Sequence, residues 1–115
     1  MSDINLTVGG GNKFGNFVLK DNVNDGAIPA TYSNLQFNNS NPEFATFEAN
    51  ANAPDPESMV KAIPVAIGIG TVVITVRVDY IDAGDNQSKS EDKTITKTFE
   101  VIGAPHGASL ELIFP

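Results

Sequence analysis

A chain of 115 residues, of which 41% are hydrophobic, has the usual size of one domain and can bury a real core. It has no cysteine, which excludes a scaffold built on disulfides and a zinc site with thiolate ligands. The formal net charge of −7, with only seven lysine and arginine residues, disfavours nucleic acid and anionic membranes as partners, because both attract clustered positive charge. No apolar run approaches the roughly 20 residues that cross a bilayer, so membrane insertion is not expected.

The first residues lack the basic and apolar regions of a signal peptide, so we expect the protein to stay where it is made. An initiating Met directly before a predicted strand favours a complete small protein. We therefore expect a single domain over residues 1–115.

Short stretches of alternating apolar and polar residues, separated by turn-forming residues, predict strands throughout the first half of the chain. Three glycines follow the first stretch, and an Asn-rich turn before Pro42 follows the third. The predicted strands cover residues 4–8, 14–20, 32–38 and 44–49.

The second half contains the clearest strand of the chain, over residues 70–80. Its apolar side chains fall on one face at every second position, with Val73 as the single exception. Such a strand is half-buried and antiparallel, and it needs a second sheet over its apolar face. It turns at residues 82–86 and returns over 93–102, where Lys97 interrupts the apolar face. The other predicted elements are a short helical turn near residues 56–60, a strand at a sheet edge over 59–64 and a closing strand over 109–114.

No segment carries an apolar period of 3.6 residues over a helical length, so the pattern predicts an all-β fold. About eight strands with turns between them are typical of a sandwich of antiparallel strands. Residues 103–107 form a predicted connector before the closing strand.

Three pieces of the sequence occur in an informative order. Ser-Asn-Pro at 40–42 leads into the strand Glu-Phe-Ala-Thr-Phe at 43–47, and Val-Lys-Ala at 60–62 leads into Gly-Ile-Gly-Thr-Val-Val-Ile-Thr-Val at 68–76. Lys-Thr-Phe-Glu-Val at 97–101 follows as a closing strand. Together these pieces resemble the bacterial immunoglobulin-like domains of intimin- and invasin-type proteins. The resemblance implies an immunoglobulin-like β-sandwich, a fold that serves as spacer, adhesin and virion decoration alike.

The chain departs from that family at three places. The loop over residues 49–58 and the hairpin over 79–93 are longer than the family usually shows. Residues 103–115 add a C-terminal strand segment after the expected end of the domain. This segment can pair within the domain or with a neighbouring subunit.

Asp79, Asp82 and Asp85 place several carboxylates in one hairpin, and such oxygens are the ligands that Ca²⁺ prefers. Their spacing is not that of an EF-hand, so a solvated acidic turn is the favoured interpretation and a Ca²⁺ site is the alternative. His106 is the single histidine, and no nucleophile motif accompanies it. We expect neither enzymatic activity nor a cofactor.

The sequence therefore favours a non-catalytic structural or decorating subunit of a large assembly, with the surface of a bacteriophage virion as the expected location. The alternative is a bacterial cell-surface module for adhesion or carbohydrate binding. The expected partner is a protein, either a capsid, tail or surface protein or a second copy in a homo-oligomer. The terminal strands are natural edges for such a partner. The interface candidates are Ile4, Leu6, Val8, Leu110, Leu112 and Phe114.

Overall fold

The computed structural model describes residues 2–103 and 108–115, and in that part of the chain it is all-β. The predicted all-β class is confirmed, and so is the short helical turn, which is a 3-10 helix over Pro56–Ser58. Most of the predicted connector, residues 104–107, lies outside the described residues. The strands are β1 (Ile4–Thr7), β2 (Lys13–Asn16), β3 (Leu19–Lys20), β4 (Ala27–Ile28), β5 (Ala30–Asn39), β6 (Ala45–Ala49), β7 (Met59–Pro64), β8 (Gly68–Asp82) and β9 (Gln87–Ile102).

The larger sheet has the order β1-β9-β8-β5. β8 and β9 form a long hairpin whose antiparallel register runs without a bulge from Gly68 opposite Val101 to Asp82 opposite Gln87. Alternate residues of β8 therefore face one side, and the apolar ones, mostly β-branched, suit a pleated, half-buried surface. Val72, Ile74, Val76 and Val78 are buried on that side, as the alternation predicts.

The second sheet has the order β2-β7-β6 and packs against the first through one apolar cluster. Phe47 of the second sheet lies between two rings of the first, with centroid distances of 6.3 Å to Phe37 and 5.3 Å to Phe99. This is a β-sandwich arrangement of layers. The buried cluster consists of Leu6, Ala45, Ala62, Val72, Ile74, Phe99 and Val101.

A small hairpin of β3 and β4 stands apart from both sheets. Tyr32 of β5 links the start of this hairpin to the larger sheet. Its ring stacks on Phe17 at 5.6 Å, and its hydroxyl accepts a hydrogen bond from the backbone N–H of Leu19 at 3.2 Å. Residues 16–29 thereby lie beside the far half of β8, around Val76 and Val78.

Three sequence predictions are wrong in detail. β7 is the central strand of its sheet, where Val60 and Ala62 are buried, and not an edge strand. β1 pairs with β9 in parallel, so the strands are not all antiparallel. Residues 109–114 form no strand: they alternate as a strand would, but a ladder also needs a neighbouring backbone, and none of the described residues supplies one.

Gly70 of β8 lies under the ring of Phe99, and a Cβ at this position would collide with Cζ of that ring. We expect Gly70→Ala to lower the free energy of unfolding by about 1–3 kcal/mol, because the buried ring has no room to move away. Gly15→Ala in β2 is the matched control, since nothing lies within 4 Å of its added Cβ. Its effect should stay within about 0.5 kcal/mol in the same urea titration. Equal losses for the two variants would contradict the close-packing argument.

Candidate functional site

The C-terminal segment, residues 108–115, exposes four large apolar side chains. The exposed fraction is 100% for Leu110 and 78–80% for Leu112, Ile113 and Phe114. Several large apolar side chains exposed within five residues are unfavourable in water and favour an interaction site. The interface candidates Leu110, Leu112 and Phe114 are therefore accessible to a partner.

The N-terminal interface candidates have a different place. Leu6 is only 1% exposed and belongs to the buried cluster, and Ile4 and Val8 pack against it. These three side chains hold β1 on the domain, where Ile4 pairs with Phe99 and Leu6 with Val101. They serve the core, so they do not form an exposed patch together with the C-terminal segment.

Asp3 binds Thr98 of β9 just before the first paired residue of β1. Its carboxylate Oδ2 accepts the backbone N–H of Thr98 at 2.9 Å, and its own backbone N–H donates to the Thr98 hydroxyl at 3.1 Å. The Thr98 N–H holds the pKa of Asp3 below its ordinary value, because the hydrogen bond favours the charged carboxylate. We call this contact the Asp3 clasp.

Beyond the Asp3 clasp, β9 has an open edge. The N–H of Val8 donates to the carbonyl of Ile102 at 2.9 Å, and the N–H of Thr98 faces Asp3, so the backbone groups of even-numbered residues of β9 point toward the β1 side. Backbone groups alternate along a strand, and β9 has no bulge. The N–H and C=O groups of Ser90, Asp92, Thr94 and Thr96 therefore face this side, where no strand of the described residues pairs with them. We call these four residues the open edge.

A groove of about 1060 Å³ adjoins the open edge on the inner side of the sheet. Residues 16–29 form one wall, and the side chains of Val76, Val78 and Ile95 line the other. Ile95 is still 40% exposed although its partner in the register, Ile74, is buried. The groove can therefore take apolar side chains that approach along the open edge.

Sequence reasoning identified the C-terminal segment but missed the open edge and the groove. A length difference was the available signal, because the predicted first strand covers only about five residues while its neighbour is far longer. The difference in length indicates an open edge only when the pairing of β1 with β9 is known. The alternation of apolar residues shows which face is buried, but it does not predict which strands are neighbours.

The hairpin carboxylates are not gathered into a cation site. Asp82 Oδ1 accepts the N–H of Gly84 at 2.8 Å, and Asp85 accepts the N–H of Gln87 at 3.0 Å and the Lys89 ammonium at 3.0 Å. The Lys89 ammonium, and then the Gln87 N–H, hold the pKa of Asp85 below its ordinary value.

Asp79 and Asp82 fall on opposite faces of β8, since they are three residues apart. Within residues 2–103 and 108–115, no group of three His, Cys, Asp or Glu side chains could hold a metal.

The remaining candidate, His106, lies outside the described residues. In the part of the chain that the structure covers, no helix is long and apolar enough to cross a membrane. Comparisons with protein-family models, with curated proteins and with solved structures find no match.

Because Asp79 and Asp82 lie on opposite faces of β8 and the carboxylates of Asp82 and Asp85 already accept hydrogen bonds, we expect Ca²⁺ to leave the stability unchanged. Thermal unfolding in millimolar CaCl₂ and in chelator should give midpoints that agree within about 1 °C. Magnesium serves as the control for a general effect of divalent ions. A rise of several degrees in calcium alone would show a site that these distances do not provide.

The Asp3 clasp predicts a stability that depends on pH. The folded-state pKa of Asp3 lies below its ordinary value of 3.8, so the contribution of the carboxylate is fully present above that pH and is lost as the pH falls through the folded-state pKa. We expect Asp3→Asn to unfold earlier than the unmodified protein at neutral pH, and the two stability curves to converge in acid. Unfolding midpoints between pH 2 and pH 7 check this. A constant difference across the range would assign the effect to something other than the charge.

Proposed function

We propose that this protein is a non-catalytic β-sandwich subunit that joins a larger protein assembly through its C-terminal segment. The exposure of Leu110, Leu112, Ile113 and Phe114 carries the proposal. The buried cluster is complete without them, because it draws only on β1, β6, β7, β8 and β9. Four large apolar side chains that contribute nothing to the core favour a role in binding.

The order of the strands supports an immunoglobulin-like topology. In such sandwiches, strands C, F and G form one sheet and strands B, E and D belong to the other. β9-β8-β5 stand where G-F-C are expected, and β2-β7-β6 stand where B-E-D are expected. The β3–β4 hairpin then corresponds to an insertion between strands B and C. This agrees with the resemblance of the sequence to the bacterial immunoglobulin-like domains.

We extend the proposal to the surface of a bacteriophage virion as the assembly, with the sequence resemblance as its support. Virion decoration is one of the roles which that resemblance implies. Tyr32, one of the two tyrosines, is already engaged within the domain, since it stacks on Phe17 and its hydroxyl is bonded to the backbone. No feature of the described residues favours the carbohydrate-binding alternative over protein binding.

Removal of residues 108–115 tests the binding role. Because these side chains are exposed, the truncated protein should keep the free energy of unfolding of the full chain within about 0.5 kcal/mol. The full chain should form oligomers that grow in mass with concentration, whereas the truncated protein should stay monomeric. Light scattering over a concentration series measures both masses. A truncated protein that forms the same oligomers as the full chain, or one that no longer folds, would contradict the proposal.

A further inference from the structure

We infer that the C-terminal segment of one copy binds a second copy as an added strand, along the open edge of β9 and with alternate side chains in the groove. The inference rests on the proposed function and deepens it, because it names both the partner and the surface that receives the segment. It also gives each copy one donor segment and one acceptor edge.

The open edge is the best acceptor among the sheet edges of this chain. β5 also has a free side, but a register shift between Ser33 and Gln36 interrupts it, and the carboxylate of Glu57 already accepts the N–H of Leu35 there. β1, β2 and β6 are edge strands of only four or five residues each. Bulges and short strands are common protections against edge pairing, and the open edge has neither.

The donor segment matches the open edge in length and in pattern. Residues 109–114 span about 20 Å when extended, and residues 90–96 of β9 span about 23 Å. Leu110, Leu112 and Phe114 would point to the face of the added strand that meets the groove, while Glu111 and Ile113 would point to the outer face. Three of the four exposed apolar side chains thus meet the groove, where Val76, Val78 and Ile95 offer apolar contacts.

The expected contact area suits a specific complex. Three large apolar side chains present roughly 500 Å² of surface, and burial against a similar area of the groove removes about 1,000 Å² from water. Reciprocal exchange between two copies doubles this value. Exchange around a ring or along a chain of copies gives the same area per joint.

The local charge permits contact between two acidic copies. The groove is lined by Lys20, Lys93 and Lys97 and by the carboxylates of Asp21 and Asp82. Lys20 also pairs with Asp25 at 3.7 Å and Lys93 with Glu91 at 2.7 Å, so positive and negative charges nearly balance here in a protein of net charge −7. The segment 108–115 carries the single charge of Glu111. Lysines beside an open edge also discourage indiscriminate pairing, so a partner strand must bring enough apolar surface to compensate. The C-terminal segment brings such a surface.

The acceptor can be blocked at one backbone group. Thr96→Pro removes the N–H that faces the open edge and places the ring there, while the hydrogen bonds to β8 come from the odd-numbered residues and remain. Thr96→Val is the matched control, because it keeps the N–H and a β-branched side chain. In the full chain, we expect Thr96→Pro to weaken self-association by roughly tenfold or more and Thr96→Val to leave it unchanged.

The donor is blocked separately by Leu112→Asp, which would place a carboxylate in the groove and should weaken self-association by roughly a hundredfold. Sedimentation velocity should then show each blocked variant as a monomer. An equimolar mixture should contain a heterodimer, since the intact segment of Thr96→Pro can bind the intact edge of Leu112→Asp. Unfolding curves of both variants establish that they are folded.

A cross-link keeps the inference testable if Thr96→Pro does not fold. The chain has no cysteine, so Thr94→Cys and Ile113→Cys can be made in separate full-length copies and mixed under mild oxidation. We expect a disulfide-linked heterodimer from this pair. Glu48→Cys, on the exposed side of β6, replaces Thr94→Cys in the control mixture and should give far less product.

The possible results separate this inference from the proposed function. Oligomers that are lost in Leu112→Asp but kept in Thr96→Pro, without the Thr94 cross-link, would place the segment on another surface and overturn only the inference. Oligomers that persist in Leu112→Asp would overturn the binding role of the segment as well. Loss of association in both variants, with a heterodimer in the mixture, would support both proposals.

Discussion

The unbroken pairing of β8 with β9 is the constraint on which the rest of the structure depends. Fifteen consecutive residue pairs fix which side chains face inward, from Gly68 opposite Val101 to Asp82 opposite Gln87. A slip of β8 by one residue would turn Val72 and Ile74 out of the core, and the same slip of β9 would turn out Phe99. The second sheet covers one half of this hairpin and residues 16–29 lie beside the other half. The groove and the open edge exist because the hairpin is longer than the strands around it.

The pattern of apolar residues predicts the fold class and most strands, but it does not predict their neighbours. Alternation over residues 70–80 identifies the inner face of β8 correctly because burial imposes that period on the sequence. The central position of β7 was missed, since Val60 and Ala62 are too few to distinguish a buried strand from an edge strand. The parallel direction of β1 was missed for a similar reason, because direction is decided by the path of the chain between the two sheets.

The candidate site was only half visible in the sequence. Leu110, Leu112 and Phe114 alternate in a segment that follows the closing strand of the domain, and this suffices to propose a binding segment. Ile4, Leu6 and Val8 alternate in the same way, but Leu6 is buried. The alternation alone does not distinguish a terminal strand that packs into the core from a terminal segment that stays exposed. The open edge depends on where β1 begins and on the contact between Asp3 and Thr98, and neither is encoded by local periodicity.

The parallel pairing of β1 and β9 also determines how the domain responds to mechanical force. The chain enters the larger sheet at Ile4, opposite Phe99, and leaves it at Ile102, opposite Thr7. The two strands are direct neighbours that run in the same direction. Tension between the start of β1 and the end of β9 therefore acts along the strands, and it loads the hydrogen bonds between them in shear. All the bonds between these strands then share the load, whereas a hairpin pulled at its open end gives way one pair at a time. A domain with this connectivity resists stretching between its ends, a useful property for a component held under load.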